Sequence, residues 1–513
     1  MTLLHDQSVH EQSQRTFHRT TPLPGEPQSQ PRQRWRPERR LVISAIALLA
    51  LGVLLTRLPG DDPDLSADGR TTLVVFAVAV WAWVFTKLDD TFVALAAGVS
   101  LVLLNVVDSD TLFATLGSDT IWLLVSAFVI AAGVTSSGLA VRAAAWLVSS
   151  ARSVRGLVHF VTTALVVTAF AVPSTSGRAA LTLPVFIAIA AALGHARHGD
   201  RYRRVILVLA LVFPTVILLS AVASLLGAGA HLVTSQVLQT ATGEGFDFVD
   251  WMVLGLPLAV VSSHLAAELV LWLFARRDDR RQPVEISLAD LQTASATPIS
   301  GPLTVRESRA ALILVSVIVL WCTEPLHGLH PAIVALLGAL VTTSPRYGST
   351  TLKKTLASVP WSLLLFMAAT LALGDALITS GAAEWIAGRM LSGLGLASPV
   401  SFMVAVVVLS TVAHLVIQSR SARSAVLIPI VVALAPTMGV NPAAAAFAST
   451  AAAGFCHTLP SSAKPVAMFS DVDDTPTYRP ADLRRLSIFL APLMIALVLL
   501  FSFFVWPLLG LSL

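Results

Sequence analysis

A stretch beginning at Val172 returns 245 positions later, and that duplication limits the chain to few architectures. The first copy reads Val-Pro-Ser-Thr-Ser-Gly-Arg-Ala-Ala-Leu-Thr-Leu-Pro, the second Ile-Gln-Ser-Arg-Ser-Ala-Arg-Ser-Ala-Val-Leu-Ile-Pro. At one constant offset Ser174 answers Ser419, Ser176 answers Ser421, Arg178 answers Arg423, Pro184 answers Pro429 and Gly194 answers Gly439. Each copy puts a polar, cationic tip between two apolar runs. A repeat of that kind implies two related halves that meet at a common polar centre.

Composition names the solvent. The 513 residues are 55% hydrophobic and 12% charged, with mean hydropathy +0.77, which excludes an ordinary soluble domain. Several apolar runs approach the roughly 20 residues that cross a bilayer core. Cys322 and Cys456 sit in or beside such runs and read as small buried hydrophobes, not as a disulfide framework. Residues 1–40, rich in Gln, Pro, Arg and Ser, read as a disordered cytoplasmic tail without a cleavage signature. Its Arg32, Arg34, Arg36, Arg39 and Arg40 crowd against the first span, 41–58, and Asp61, Asp62, Asp64 and Asp68 follow it, placing the N-terminus inside. The net charge of +4 thus reflects loops that set topology, with no nucleic acid as partner.

The loop charges then order the rest. Residues 41–275 form a leading span and a first repeat, 276–309 a polar cytoplasmic linker and 310–513 a second repeat that leaves the C-terminus outside. Both flanks of 156–194 are basic, so that element has both ends inside: either two complete spans or a re-entrant hairpin with its tip at mid-depth. The hairpin is the better reading, because irregular backbone at membrane depth belongs at a binding site. The flanks of 399–439 carry no basic residue, which fits a second hairpin opening outward. Glycines at Gly227 and Gly229, and the run His457-Thr458-Leu459-Pro460, break the spans that follow the two hairpins. An odd number of crossings per repeat inverts the second copy. The expected fold is all-α and polytopic, an inverted-topology repeat of about eleven transmembrane helices plus two re-entrant hairpins.

Basic groups collect where this scheme has broken backbone: Arg178, Arg420, Arg423 and Lys464. Arginine at a bilayer centre costs roughly 2.5–3.5 kcal/mol on insertion scales, so these groups need a partner, and a small anion is the simplest. Guanidinium forks suit carboxylate, phosphate or sulfate, and the N-terminal ends of the second hairpin arms add donors. Ser174, Thr175, Ser176, Ser419 and Ser421 either contact that anion or cap helix N-termini. His231, His414 and His457 lack metal-cluster spacing and read as core residues, with a proton relay as the other reading. His264 and Glu268, four apart on a helix, lack a visible third ligand, so no metal and no other cofactor is expected.

The two tips and two breaks resemble those of the divalent anion/sodium symporter family, whose members carry dicarboxylates, citrate or sulfate. Ser174-Thr175-Ser176 and Ser419-Arg420-Ser421 look like the family's paired Ser-Asn-Thr motifs, and 227–233 and 457–465 look like its unwound segments. Asp250-Trp251 through Gly255-Leu256-Pro257, and Thr323-Glu324-Pro325-Leu326-His327-Gly328, are also similar. The resemblance implies a secondary transporter of small anions by alternating access, in the cell membrane, as a homodimer. Its substrate contacts would be Ser174, Thr175, Ser176, Arg178, Ser419, Arg420, Ser421, Arg423 and Lys464, with Gly227, Gly229, His231, His457 and Thr458 in the unwound or cation-site segments. Thr175 and Arg420 stand where the family has Asn, so fixed cations are expected to replace Na⁺, leaving exchange, H⁺ coupling or facilitated passage. A cation/proton antiporter or arsenite-type permease would need acids at mid-depth, where Asp375 is the candidate. An intramembrane serine hydrolase, with Ser421 and His414 or His457, is the remaining alternative.

Overall fold

The computed structural model describes residues 65–513 except 197–199, 285–288, 290–291, 293–297, 395–397, 473–474 and 476. The N-terminal tail, the span 41–58 and part of the 276–309 linker therefore lie outside the described residues.

Among the described residues ten helices make up the first half: α1 (Ala67–Phe85), α2 (Asp90–Leu103), α3 (Ser109–Ala114), α4 (Asp119–Ser137), α5 (Leu139–Ser149), α6 (Val154–Ala171), α7 (Thr175–Ala196), α8 (Asp200–Leu219), α9 (Gly229–Thr242) and α10 (Phe248–Phe274). The second half supplies their counterparts in the same order: α11 (Val305–Cys322), α12 (Pro331–Thr343), α13 (Leu352–Ser358), α14 (Trp361–Thr379), α15 (Ala382–Leu394), α16 (Pro399–Val412), α17 (Arg420–Leu434), α18 (Pro442–Ala452), α19 (Lys464–Ser470) and α20 (Pro480–Leu500). One-turn helices at Arg277–Arg280 and Glu324–His327 stand outside this scheme.

Local chemistry repeats with the order. Ser153 caps α6 by accepting the Gly156 amide, and Ser398, at the same 245-residue offset, caps α16 by accepting that of Ser401. The long segments expected from 121 and from 361 each split in two. At Gly138 and Gly381 the backbone turns through φ of 84° and 75°, a left-handed conformation that only glycine adopts without strain.

Among the described residues eight helices are long and apolar enough to cross a membrane, and α2, α12 and the 399–415 segment are shorter apolar helices. The eight do not match the expected eleven one for one: they include both arms of the first hairpin, the span 41–58 lies outside the described residues, α2 and α12 are only 14 and 13 residues long, and a break divides 442–469. After Leu219 two tight turns, Ser220–Ala223 and Leu225–Gly227, precede α9. After Ala452 irregular chain and the turn Pro460–Ser462 precede α19. Both expected breaks are present.

Packing crosses between the halves. α12 lies along α4 and α14 along α2; α9 packs on α17, and α19 on α7. Each half therefore seats its post-break helix on the other half's second hairpin arm. The 202–223 segment is the most enclosed helix, apolar all round, as a central element must be. Phe186, Phe213 and Phe469 join α7, α8 and α19 at ring separations of 5.4–5.5 Å. Around Trp251, the rings of Phe246 and Phe447 and the His231 imidazole do the same for α9, α10 and α18. Arg142 on α5 forms a buried 2.8 Å ion pair with Glu307 and donates to the carbonyls of Gly301 and Pro298, fastening the linker to the bundle.

Candidate functional site

The two hairpins are built alike: a capped first arm, a short turn, and a second arm beginning at Thr175 or Arg420. Ser174 accepts the Gly177 amide at 3.3 Å and Ser419 accepts the Ala422 amide at 3.3 Å, so both serines cap their helices. The arginines four residues further in have different surroundings.

Arg178 is fully buried and held by protein. Its Nε donates to Thr168 Oγ1 (3.1 Å), Nη1 to the Ile217 carbonyl (3.0 Å), and Nη2 to the Leu165 carbonyl and Ser220 Oγ (both 2.6 Å). Ile217 is in the last turn of α8, where carbonyls run out of helical partners, whereas the Leu165 carbonyl lies further inside α6 and also accepts Thr168 Oγ1 at 2.7 Å. The guanidinium thus caps the end of α8 and ties it to α6. Two arginines equivalent in sequence are thus not equivalent in surroundings.

Arg423 is just as buried, yet its one hydrogen bond is Nη2 to Cys456 Sγ at 3.1 Å, and its Nε and Nη1 have no partner among the described residues. Nε and Nη1 of Arg420 are likewise buried and unpartnered. The Arg420 fork lies over the second break, its Nη2 3.7 Å from where a Cβ on Gly454 would be. Electrostatically Arg420 reaches Arg178, Arg423, His231 and His457. Leaving such donors unmet in a dry interior costs on the order of 1–3 kcal/mol each, and more for charged groups.

Both breaks feed this centre. Gly227 permits the first, since a Cβ there would stand 2.0 Å from the Ala221 carbonyl oxygen. Gly229 lets α9 start against the second tip: a Cβ there would meet Ser421 Oγ at 3.1 Å. His231 is fully buried, with Nδ1 3.0 Å from the Ser224 carbonyl and Nε2 unpartnered. His457 is also fully buried; its Nδ1 accepts the Cys456 amide at 3.2 Å and its Nε2 is unpartnered. Thr458 is spent on His414 Nε2 at 2.7 Å. Neither His414 nor His457 is hydrogen-bonded to Ser421, so the pair a hydrolase would need is not formed.

Lys464 stands apart from the arginines: it is exposed and lies near Asp90, which also accepts a hydrogen bond from Ser419. Asp90, Thr168 and Ser220 went unnoticed in the sequence, and Cys456, read there as a small buried hydrophobe, contacts Arg423. Only Cys456 carried a signal for the site, its position beside His457 in a break. The His264–Glu268 pair gains a third member, His159, which contacts His264 Nδ1 (2.8 Å) and Glu268 Oε1 (2.5 Å), while Arg155 pairs with the same carboxylate. Among the described residues no His, Cys, Asp and Glu group is arranged to hold a metal.

Residues 80–452 match the model of a family described as citrate transporter. Relatives include a "Membrane protein" of Cupriavidus necator, 25% identical over 60% of this chain, of which the match spans 62%. A sodium-dependent dicarboxylate transporter, SdcS, of Staphylococcus saprophyticus is 24% identical over 82% of this chain and 84% of its own. A chloroplastic dicarboxylate transporter of Spinacia oleracea is 26% identical over 80% and 73%. In fold the chain is similar to the Alcanivorax borkumensis YdaH transporter, with a TM-score of 0.52 and 16% identity over 92% of this chain and 99% of the other. It is also similar to Neisseria gonorrhoeae MtrF, titled an antimetabolite efflux pump, with a TM-score of 0.52 and 14% identity over 89% and 98%.

Proposed function

The chain belongs to the citrate transporter family, and we propose that it carries small carboxylate anions across the cell membrane by alternating access, holding them at the second hairpin tip. Membership makes it a multi-pass membrane transporter of citrate or dicarboxylate type and not an enzyme. The observation that carries the finer reading is the pair Arg420 and Arg423, whose four buried guanidinium nitrogens lack partners. A dianion is what two fixed cations in low dielectric call for, and α17 begins at Arg420 with its free amides at the same spot.

Depth supports two opposed re-entrant hairpins. α8 and α9 together make one crossing interrupted at 220–228, and Arg178 bonds the first tip to that interruption at Ile217 and Ser220. A tip bonded beside the interruption of a crossing supports the reading that it sits within the membrane and not at its outer surface. With the first hairpin opening inward and the second outward, the ten-and-ten plan is an inverted repeat. The N-terminus is then cytoplasmic and the C-terminus outside. Exposed apolar residues on α2, α11 and α12, among them Phe92, Leu312 and Leu337, form the outer wall of a scaffold and offer a homodimer face.

SdcS is sodium-dependent by name. In this chain Arg420 occupies the tip position that the symporter resemblance assigns to a sodium-site Asn, and a guanidinium repels Na⁺. Transport therefore runs without a sodium gradient.

The test is uptake of radiolabelled succinate, citrate and sulfate into proteoliposomes, with and without inward sodium, for wild type, Arg420→Gln and Arg423→Gln. Sodium-independent uptake lost in both variants supports the proposal. Uptake that requires sodium removes the coupling claim, and variants as active as wild type remove the site.

A further inference from the structure

Cys456 lies in the second break, fully buried and without a disulfide partner, whereas the chain's other cysteine, Cys322, is exposed at the end of α11. Its sulfur accepts Arg423 Nη2 at 3.1 Å and faces the Gly454 and Ala453 carbonyls at 3.6 and 3.8 Å. Those contacts orient it: the S–H is turned to the carbonyls and a lone pair to the guanidinium. In that same planar group Nε and Nη1 are buried and unpartnered among the described residues. Arg420, whose Nη2 stands 3.7 Å from where a Cβ on Gly454 would be, adds its own unpartnered Nε and Nη1. Thiol sulfur is a weak acceptor, so one sulfur stands among cationic donors that it satisfies only in part.

Such surroundings suit a thiol that reacts. Thiol chemistry builds negative charge on sulfur, and a cation in contact with that sulfur stabilises it. Hydrogen peroxide is far smaller than a dicarboxylate, so an opening that admits substrate admits it too. The sulfur attacks one peroxide oxygen: an S–O bond forms, the O–O bond breaks, and the departing hydroxide takes the thiol proton to become water. Sulfur loses two electrons and the peroxide gains them. Because Cys456 has no bonded thiol partner, the sulfenic acid is open to a second peroxide, which adds another oxygen and releases another water. The sulfinic acid then gives its proton to water. A neutral thiol has become an anion with two oxygens, as a carboxylate has.

We propose that Cys456 is a modification site, oxidised by a hydroperoxide to a sulfinate that occupies the arginines in place of substrate and so switches the carrier off. The inference rests on the anion-site reading above and adds its regulation. The sulfinate oxygens meet the nitrogens that the thiol leaves unpartnered, as a carboxylate meets a guanidinium fork. Being tethered, they compete at an effective concentration that free substrate does not match.

The experiment uses Cys322→Ser protein in proteoliposomes, treated with hydrogen peroxide, then with catalase and dithiothreitol, and assayed for labelled citrate uptake. Uptake falls about tenfold or more and dithiothreitol does not restore it, because a sulfinate resists thiols. Mass spectrometry finds about 32 Da added at Cys456, the mass of two oxygens, and citrate present during treatment suppresses both changes. With Cys456→Ala added, treated and untreated protein carry citrate equally. Cys456→Asp, whose carboxylate stands in for the sulfinate, carries citrate at less than about a tenth of the wild-type rate without treatment, while melting no lower. Equal peroxide losses with and without Cys456 overturn the inference and leave anion transport standing. So does a Cys456 sulfinate with undiminished uptake, or peroxide treatment that adds no mass there. Should Cys456→Ala fail to fold, the mass change, its suppression by citrate and the Cys456→Asp rate decide. If the untreated protein carries no carboxylate at all, the anion-transport reading falls, and this inference with it.

Discussion

The first hairpin tip and the second carry the same two serines and arginine at one offset, set in different surroundings. At the first, Arg178 closes four hydrogen bonds to two backbone carbonyls and two hydroxyls and behaves as a rivet. At the second, Arg423 keeps a single weak sulfur contact, and Arg420, where the first tip has Thr175, adds a further set of unmet donors. Duplication supplied two equivalent positions. Only the surroundings decide whether a buried guanidinium is structure or binding site.

Replacing each arginine by methionine tests that contrast most strongly. Arg178→Met removes the group that ties α6 to the end of α8 and leaves the Ile217 carbonyl without the guanidinium donor, and should destabilise by about 3–5 kcal/mol, a fall of roughly 10 °C in the melting temperature of the purified protein. Arg420→Met removes a buried cation that nothing neutralises, so the empty protein should melt no lower than wild type, and higher if desolvation dominates. Equal losses in the two variants would erase the distinction between rivet and site.

Ligand binding sharpens it. Citrate or malate at about a hundred times its dissociation constant should stabilise wild type by about 2.7 kcal/mol and Arg178→Lys, if it folds, by as much, but should leave Arg423→Gln unmoved. Differential scanning fluorimetry in detergent reads this directly. A smaller contrast separates the breaks: Gly227→Ala forces a Cβ to 2.0 Å from a backbone oxygen, whereas Gly454→Ala meets one at 2.9 Å. The first should cost about 2 kcal/mol or more and the second less, by the same melting assay. Smallest are the caps. Ser174→Ala and Ser419→Ala should each lose about 1 kcal/mol, and only Ser419→Ala, beside the free arginines, should also raise the KM for uptake.

Much of this was legible in the sequence. Repeat offset, both breaks and the all-helical class follow from apolar runs, glycines and charged flanks, because bilayer thickness and backbone satisfaction leave few options, while the family was read from the resemblance of the two tip motifs. The partners of Arg178 were not legible. Thr168, Ser220 and the two carbonyls become donors' targets only when α6, α7 and α8 are packed together, and a carbonyl has no residue type to read. Cys456 looked like a small hydrophobe, as buried cysteines usually are, until the fold set it against a guanidinium.

Crossed seating of the post-break helices has a consequence for how the chain is made. α7 is synthesised before the middle of the chain, yet the helix that covers it, α19, emerges near the end, while α17 finds α9 already waiting. The first half must therefore dwell in the membrane incomplete, its polar tip shielded by the Arg178 rivet, until the second half arrives. Separate expression of the two halves should yield little of either, and co-expression should rescue both.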